Sequence, residues 1–104
     1  MATAYLREYA ALGVANGALQ AGREPATADQ TITTSGTTAA SAAFNTNTTF
    51  IAISTPVAQA VCCLFSATRG ATPTALVTSL RLPANSLVFF GVNPGDKVAL
   101  IDVA

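Results

Sequence analysis

The sequence predicts an all-β protein: a single antiparallel β-sandwich or jelly-roll-like domain with an extended N-terminal arm. Three observations predict it. The chain has 104 residues, room for one domain and one core. From Gln30 onward, short runs rich in β-branched and aromatic residues recur between Gly, Pro and Asn breaks. Two turn phrases, Leu82-Pro83-Ala84-Asn85 and Asn93-Pro94-Gly95-Asp96, carry proline at the second position, where its fixed φ suits a turn.

Residues 1–29 form an N-terminal arm, or a first strand and loop, and residues 30–104 the sandwich core. In the opening segment Tyr5, Arg7 and Tyr9 alternate with Ala4, Leu6 and Glu8 at strand spacing, while Tyr5, Tyr9 and Leu12 also fit a helix. Gly13 and Gly17 limit any helix to about two turns, so an extended segment through Tyr9 is preferred. Residues 30–35 alternate around Ile32 and stop at Gly36. Residues 37–50 are almost wholly Thr, Ala, Ser and Asn, with Phe44 the one large anchor before Phe50. Strands are expected over 48–54, 57–66, 74–82, 86–92 and 97–103. The last three, joined by the two proline turns, are expected to pair as an antiparallel meander.

The closing strands are apolar on both faces. Leu87 and Phe89 oppose Val88, Phe90 and Val92; Val98 and Leu100 oppose Ala99, Ile101 and Val103. One sandwich interior covers one face of each strand. The other faces need a partner subunit, a larger host surface, or the chain's own N-terminal third. Charged residues are 10% of the chain, against roughly 25% in an ordinary soluble domain. Five basic and five acidic residues cancel, which leaves little repulsion between copies.

Composition argues against several functions. Five scattered cations make no basic stripe for nucleic acid. No run reaches the roughly 18–20 apolar residues that cross a bilayer, and Arg7-Glu8 sits where a signal peptide has its apolar region, so neither a membrane nor a secreted role is expected. There is no histidine, no GxSxG elbow, and no Walker or dinucleotide fingerprint. The carboxylates Glu8, Glu24, Asp29, Asp96 and Asp102 have no spacing that forces them together, and Lys97, the one lysine, lies beside Asp96. Arg7-Glu8 and Arg23-Glu24 read as solvated neighbours. Cys62 and Cys63 are adjacent, point to opposite faces of a strand and read as reduced packing thiols, too few for zinc. Asn47-Thr48-Thr49 is a sequon by chance. The expectation is no enzyme, no catalytic residue, no cofactor, no metal and no small-molecule substrate.

The phrases Tyr5-Leu6-Arg7-Glu8-Tyr9, Arg23-Glu24-Pro25-Ala26, Ser41-Ala42-Ala43-Phe44-Asn45, Arg81-Leu82-Pro83-Ala84-Asn85 and Phe90-Gly91-Val92-Asn93-Pro94-Gly95-Asp96-Lys97 resemble small structural proteins of tailed bacteriophages. The resemblance is to capsid decoration, or cement, proteins. It implies a virion component made in the bacterial cytoplasm. Such a protein sits on the capsid exterior as a dimer or trimer and binds the major capsid protein so as to clip neighbouring subunits together. It supplies no catalytic residues. The expected contacts are Tyr5, Leu6 and Tyr9 of the N-terminal segment and Val88, Phe90 and Val92 of the C-terminal strands. A tail or head–tail connector component, or a receptor- or carbohydrate-binding spike module, is the alternative; a hydrolase is more remote.

Overall fold

Strand β1 (Ala2–Tyr9) begins a structure with no helix among its described residues. This computed structural model describes residues 2–10, 12–14, 18–22 and 26–103. A small hairpin follows, β2 (Leu12–Val14) with β3 (Ala18–Gly22), and then β4 (Ala28–Thr34) and the two-residue β5 (Ala39–Ala40). The remaining strands are β6 (Phe50–Ser54), β7 (Val61–Phe65), β8 (Leu80–Leu82), β9 (Leu87–Gly91) and β10 (Val98–Asp102). Two four-stranded sheets result: a first in the order β4-β1-β6-β9 and a second in the order β5-β10-β7-β8. Every ladder is antiparallel. The sandwich is therefore as predicted.

Alternation along β1 sets the sandwich. Ala4, Leu6 and Glu8 turn inward, and Thr3, Tyr5 and Arg7 turn out. The strand lies between β4 and β6, hydrogen-bonded on both sides, so of the two forms expected for this segment it takes the strand and not the arm. Leu6, Ile32, Ile51 and Ile53 of the first sheet meet Val61, Cys63, Val98 and Leu100 of the second. Phe44 closes this core from within the alanine- and threonine-rich tract. The adjacent cysteines do face opposite ways: Cys63 belongs to the core between the sheets, Cys62 to a second cluster with Ala75, Ala99 and Ile101.

The expected C-terminal meander does not form. β8 pairs with β7, β9 with β6, and β10 with β5 and β7, so these three strands alternate between the sheets. The turn chemistry explains the difference. Proline-led turns of types I and II splay the strands they join, whereas tight hairpins take the mirror-image turns. The turn at Asn93–Asp96 closes with Asp96 N–H on the Asn93 carbonyl at 3.2 Å, and Gly95 adopts φ 85°. Asn85 takes φ 53° after Pro83-Ala84. Each turn crosses the thickness of the sandwich. Thr55 ties this end together: its hydroxyl donates to the Pro83 carbonyl at 2.7 Å and accepts from Ser86 N–H at 2.8 Å.

A second expectation also fails. Only Leu80–Leu82 of the strand expected over 74–82 is paired. The preceding residues instead run across the outside of the second sheet, where Ala75 packs on Cys62, Ala99 and Ile101. Their backbone is satisfied without a ladder: Ala75 N–H bonds Thr38 Oγ1 at 2.9 Å and Leu76 N–H bonds Ser79 Oγ at 3.0 Å. The second apolar face of β10 is thus covered by the chain itself, from this connection and not from the N-terminal third.

Glu8, expected to be solvated beside Arg7, is 1% exposed. Neighbouring residues on a strand take opposite faces, so Arg7 goes to water and Glu8 goes to the rim of the core. Its Oε1 accepts from Asn45 N–H at 2.7 Å and from Thr48 Oγ1 at 2.8 Å, and its Oε2 accepts from Gln30 Nε2 at 2.8 Å. Gln30 in turn accepts the Ala42 N–H at 2.9 Å, and Thr48 meets Thr27 at 2.8 Å. Replacing Glu8 with alanine strands three donors. Glu8→Ala is expected to cost about 3 kcal/mol and to lower Tm by about 15 °C in a thermal melt. Thr48→Val, which removes one donor, is expected to cost about 1 kcal/mol.

Candidate functional site

The two sheets differ in what covers their outer faces. The second carries the connection described above. The first shows a lattice of side chains set by its register. One row reads Thr31, Tyr5, Ser54, Leu87; the next reads Asp29, Arg7, Ala52, Phe89; and Tyr9 and Phe50 begin a third that ends at Gly91. Ala52 is the small member, and its methyl floors a groove of about 660 Å³. Tyr5, Arg7 and Thr31 form one wall, Leu87 and Phe89 the other. Tyr5 is 58% exposed, Leu87 60% and Phe89 38%. Such large exposed apolar side chains gathered on one face mark a contact surface more often than scattered ones do.

Aromatic packing stiffens one end of the groove. Tyr9 stacks on Phe50 with ring centroids 5.2 Å apart, and Phe50 meets Phe89 at 6.4 Å. Arg7 Nε lies 3.3 Å from Asp29 Oδ1, with both side chains largely in water. A pair this exposed adds little to stability; it supplies polar specificity at the rim.

Of the six residues expected to make contacts, Tyr5 alone stands well out on this face. Leu6 is buried in the core, because its parity is that of Ala4 and Glu8. Tyr9 is on the outer face but buried against Phe50. Val88, Phe90 and Val92 turn inward and pack on the core, with Phe90 5.1 Å from Phe65 of the opposite sheet. The expected facing of this strand is therefore reversed, and its outward residues are Leu87 and Phe89. Sequence gave no polar residue in 87–90 to decide which face is wet. The contact of Phe90 with Phe65 across the interior decides it.

The chemical candidates are spread out. Asp96 Oδ1 accepts the Gly70 N–H at 2.8 Å and so ties down a loop. Lys97 Nζ bonds Thr72 Oγ1 at 3.1 Å. Asp102 keeps Oδ1 buried without a partner among the described residues. Arg23 and Glu24 lie outside the described residues. Among the described residues no three His, Cys, Asp or Glu side chains come together as a metal site. Both thiols are free and buried. Burial, and secondarily the neighbouring Cys62, pushes the Cys63 thiol up to about 11. The reactive species is the thiolate, so Cys63 is expected to resist a disulfide reagent at pH 7.5 in the native state. Labelling should be about 100-fold faster in denaturant, as followed by released chromophore.

No protein-family model, no curated protein and no solved structure matches this chain.

Proposed function

We propose that this protein is a non-enzymatic structural component of a tailed-phage virion. In this reading it binds the outside of the capsid and bridges neighbouring copies of the major capsid protein through the outer face of its first sheet. The observation that carries the reading is the apolar groove on the outer face of the first sheet. The first sheet presents Tyr5, Leu87 and Phe89 around a small-floored groove, whereas the exposed Leu64, Leu76 and Val77 on the second sheet's side surround a face that the chain's own connection already crosses. The strand path supports it as well, since from β4 onward every consecutive pair of strands except β7–β8 crosses between the two four-stranded sheets, a path of the kind seen in jelly rolls, viral capsid domains among them. The phage-like phrases within the described residues fall on structural positions. Leu6 and Glu8 build the core rim, Phe44 is a core anchor, and Pro83 and Pro94-Gly95 make the sheet-crossing turns.

Binding of this kind needs no catalyst, cofactor, metal or nucleic acid. It needs apolar area with few charges, repeated over many copies. The groove also offers a weaker case for a saccharide-binding module, because Tyr5 and Phe89 stand on either side of β6, which carries the polar Ser54. Tyr9, which would extend the stacking platform, has its ring taken by Phe50.

The test is incubation of the purified protein with expanded phage shells that lack it, followed by sedimentation and imaging of the added density. Wild-type protein is expected to co-sediment. Tyr5→Asp is expected to weaken binding about 10- to 100-fold while the melt is unchanged. Leu76→Asp, on the opposite sheet's covering segment, is expected to bind as wild type. A Tyr5→Asp protein that decorates shells normally, or wild-type protein that stays in the supernatant, overturns the proposal.

A further inference from the structure

The sandwich has four edge strands, and three are blunted against pairing. β5 is two residues long, β8 is three residues long and carries Arg81, and β4 carries Asp29. The fourth, β9, is Leu87-Val88-Phe89-Phe90-Gly91, with neither charge nor proline. The whole stretch from Leu82 to Gly95 is uncharged. Natural sandwiches protect an edge of this kind or use it.

The hydrogen bonds at both ends of β9 fix which of its backbone groups are free. Thr55 N–H donates to the Ser86 carbonyl at 2.9 Å, and Val92 N–H donates to the Thr49 carbonyl at 2.9 Å. Both pairs continue the register that sets Ile51 against Phe90 and Ile53 against Val88. In an antiparallel ladder every second residue turns its N–H and C=O to the neighbour. The even-numbered residues of β9 therefore face β6. Leu87, Phe89 and Gly91 direct their backbone groups away from the sheet, and among the described residues nothing pairs with them.

We propose that this edge is the interface of a two-fold dimer, in which β9 pairs antiparallel with β9 of a second copy about an axis through Phe89. A second copy of this chain fits because the edge is self-complementary in that register. The three outward-facing residues centre on Phe89, so Phe89 meets its own counterpart and Leu87 meets Gly91. Gly91 has open space where a Cβ would stand, which leaves room for the opposing Leu87. About six backbone hydrogen bonds form across the axis. The exposed Leu87 and Phe89 side chains cover one another on the outer face, and no charge in the stretch repels the second copy. The proposal stands on the edge alone and does not depend on capsid binding.

Sedimentation equilibrium at about 100 µM tests it. The wild-type chain of 10.5 kDa is expected to run at twice its mass. Phe89→Lys and Phe89→Glu place like charges opposite each other across the axis and are each expected to weaken the dimer about 100-fold. An equimolar mixture of the two is expected to recover it, because only this register sets position 89 against itself. Melts of the single variants report that they remain folded. An independent pair keeps the test decisive: Phe89→Cys is expected to crosslink to itself under mild oxidation, since directly opposed residues lie about 5.5 Å apart at Cα. Leu87→Cys is not expected to crosslink, because its counterpart lies more than about 10 Å away. Monomeric wild-type protein, a mixture that fails to pair, or crosslinking at 87 and not at 89 overturns the proposal.

Discussion

A carboxylate withdrawn from water organises one end of this protein. Glu8 takes hydrogen bonds from Gln30 on the adjacent strand and from Asn45 and Thr48 in the following loop. An ionised carboxylate only accepts, and all three contacts are donors, so the group is matched to its site. The loop it holds comes from a tract of Ala, Thr, Ser and Asn that has little apolar area with which to fix itself. Hydrogen bonds do that work. Ser41 exchanges bonds with Val98, and Phe44 bonds the Asp96 carbonyl, so the same loop is sewn to the second sheet. The loop therefore closes the core from Glu8 on one sheet to Val98 on the other. A loop rich in alanine and threonine needs such polar fastening, because its side chains, Phe44 apart, contribute little burial to the core.

The path of the chain then decides which surfaces remain bare. Proline-led turns at both ends of β9 send its neighbours in sequence to the opposite sheet. β9 is left with one ladder partner, β6, and with an edge facing solvent. On the second sheet the long connection before β8 crosses back over Cys62, Ala99 and Ile101. The exposed groove and the exposed edge are thus two consequences of the same routing. They share Leu87 and Phe89, which sit on the groove's wall and along the free edge.

How much of this was legible in the sequence depended on whether a local rule had a local answer. The alternation in Tyr5-Leu6-Arg7-Glu8-Tyr9 foretold a strand and the opposed facing of Cys62 and Cys63 followed from pleating alone. Pro94 foretold the turn, in which Gly95 takes a positive φ. Parity without polarity was harder. In Leu87–Phe90 both faces are apolar, so the inward choice of Phe90 comes from Phe65 on the other sheet, a partner 25 residues away in sequence. Glu8 had no local answer: charge suggests water, and its three donors come from segments 22 to 40 residues distant. The first part of the strand expected over 74–82 satisfied propensity, yet Thr38 and Ser79 side chains offered its backbone other partners. The groove itself, built from four strands that are not consecutive, had no signature in any one of them.

The proposed dimer and the proposed capsid contact are connected by the geometry of an antiparallel ladder. Directly opposed residues in such a pair send their side chains to the same side of the sheet. Pairing through β9 would therefore extend the first sheet into a continuous one and place the grooves of both copies on one common face. A two-fold unit with two like-facing grooves is suited to a surface that repeats, because the second contact forms at the high effective concentration set by the first. Each groove is modest in area and uncharged apart from Arg7 and Asp29, so a single copy would hold weakly. Two copies joined rigidly would hold far better on a lattice of matching period, and would span two neighbouring subunits in doing so. Edge pairing and shell bridging need not occur together, but the first supplies a rigid spacing that strengthens the second.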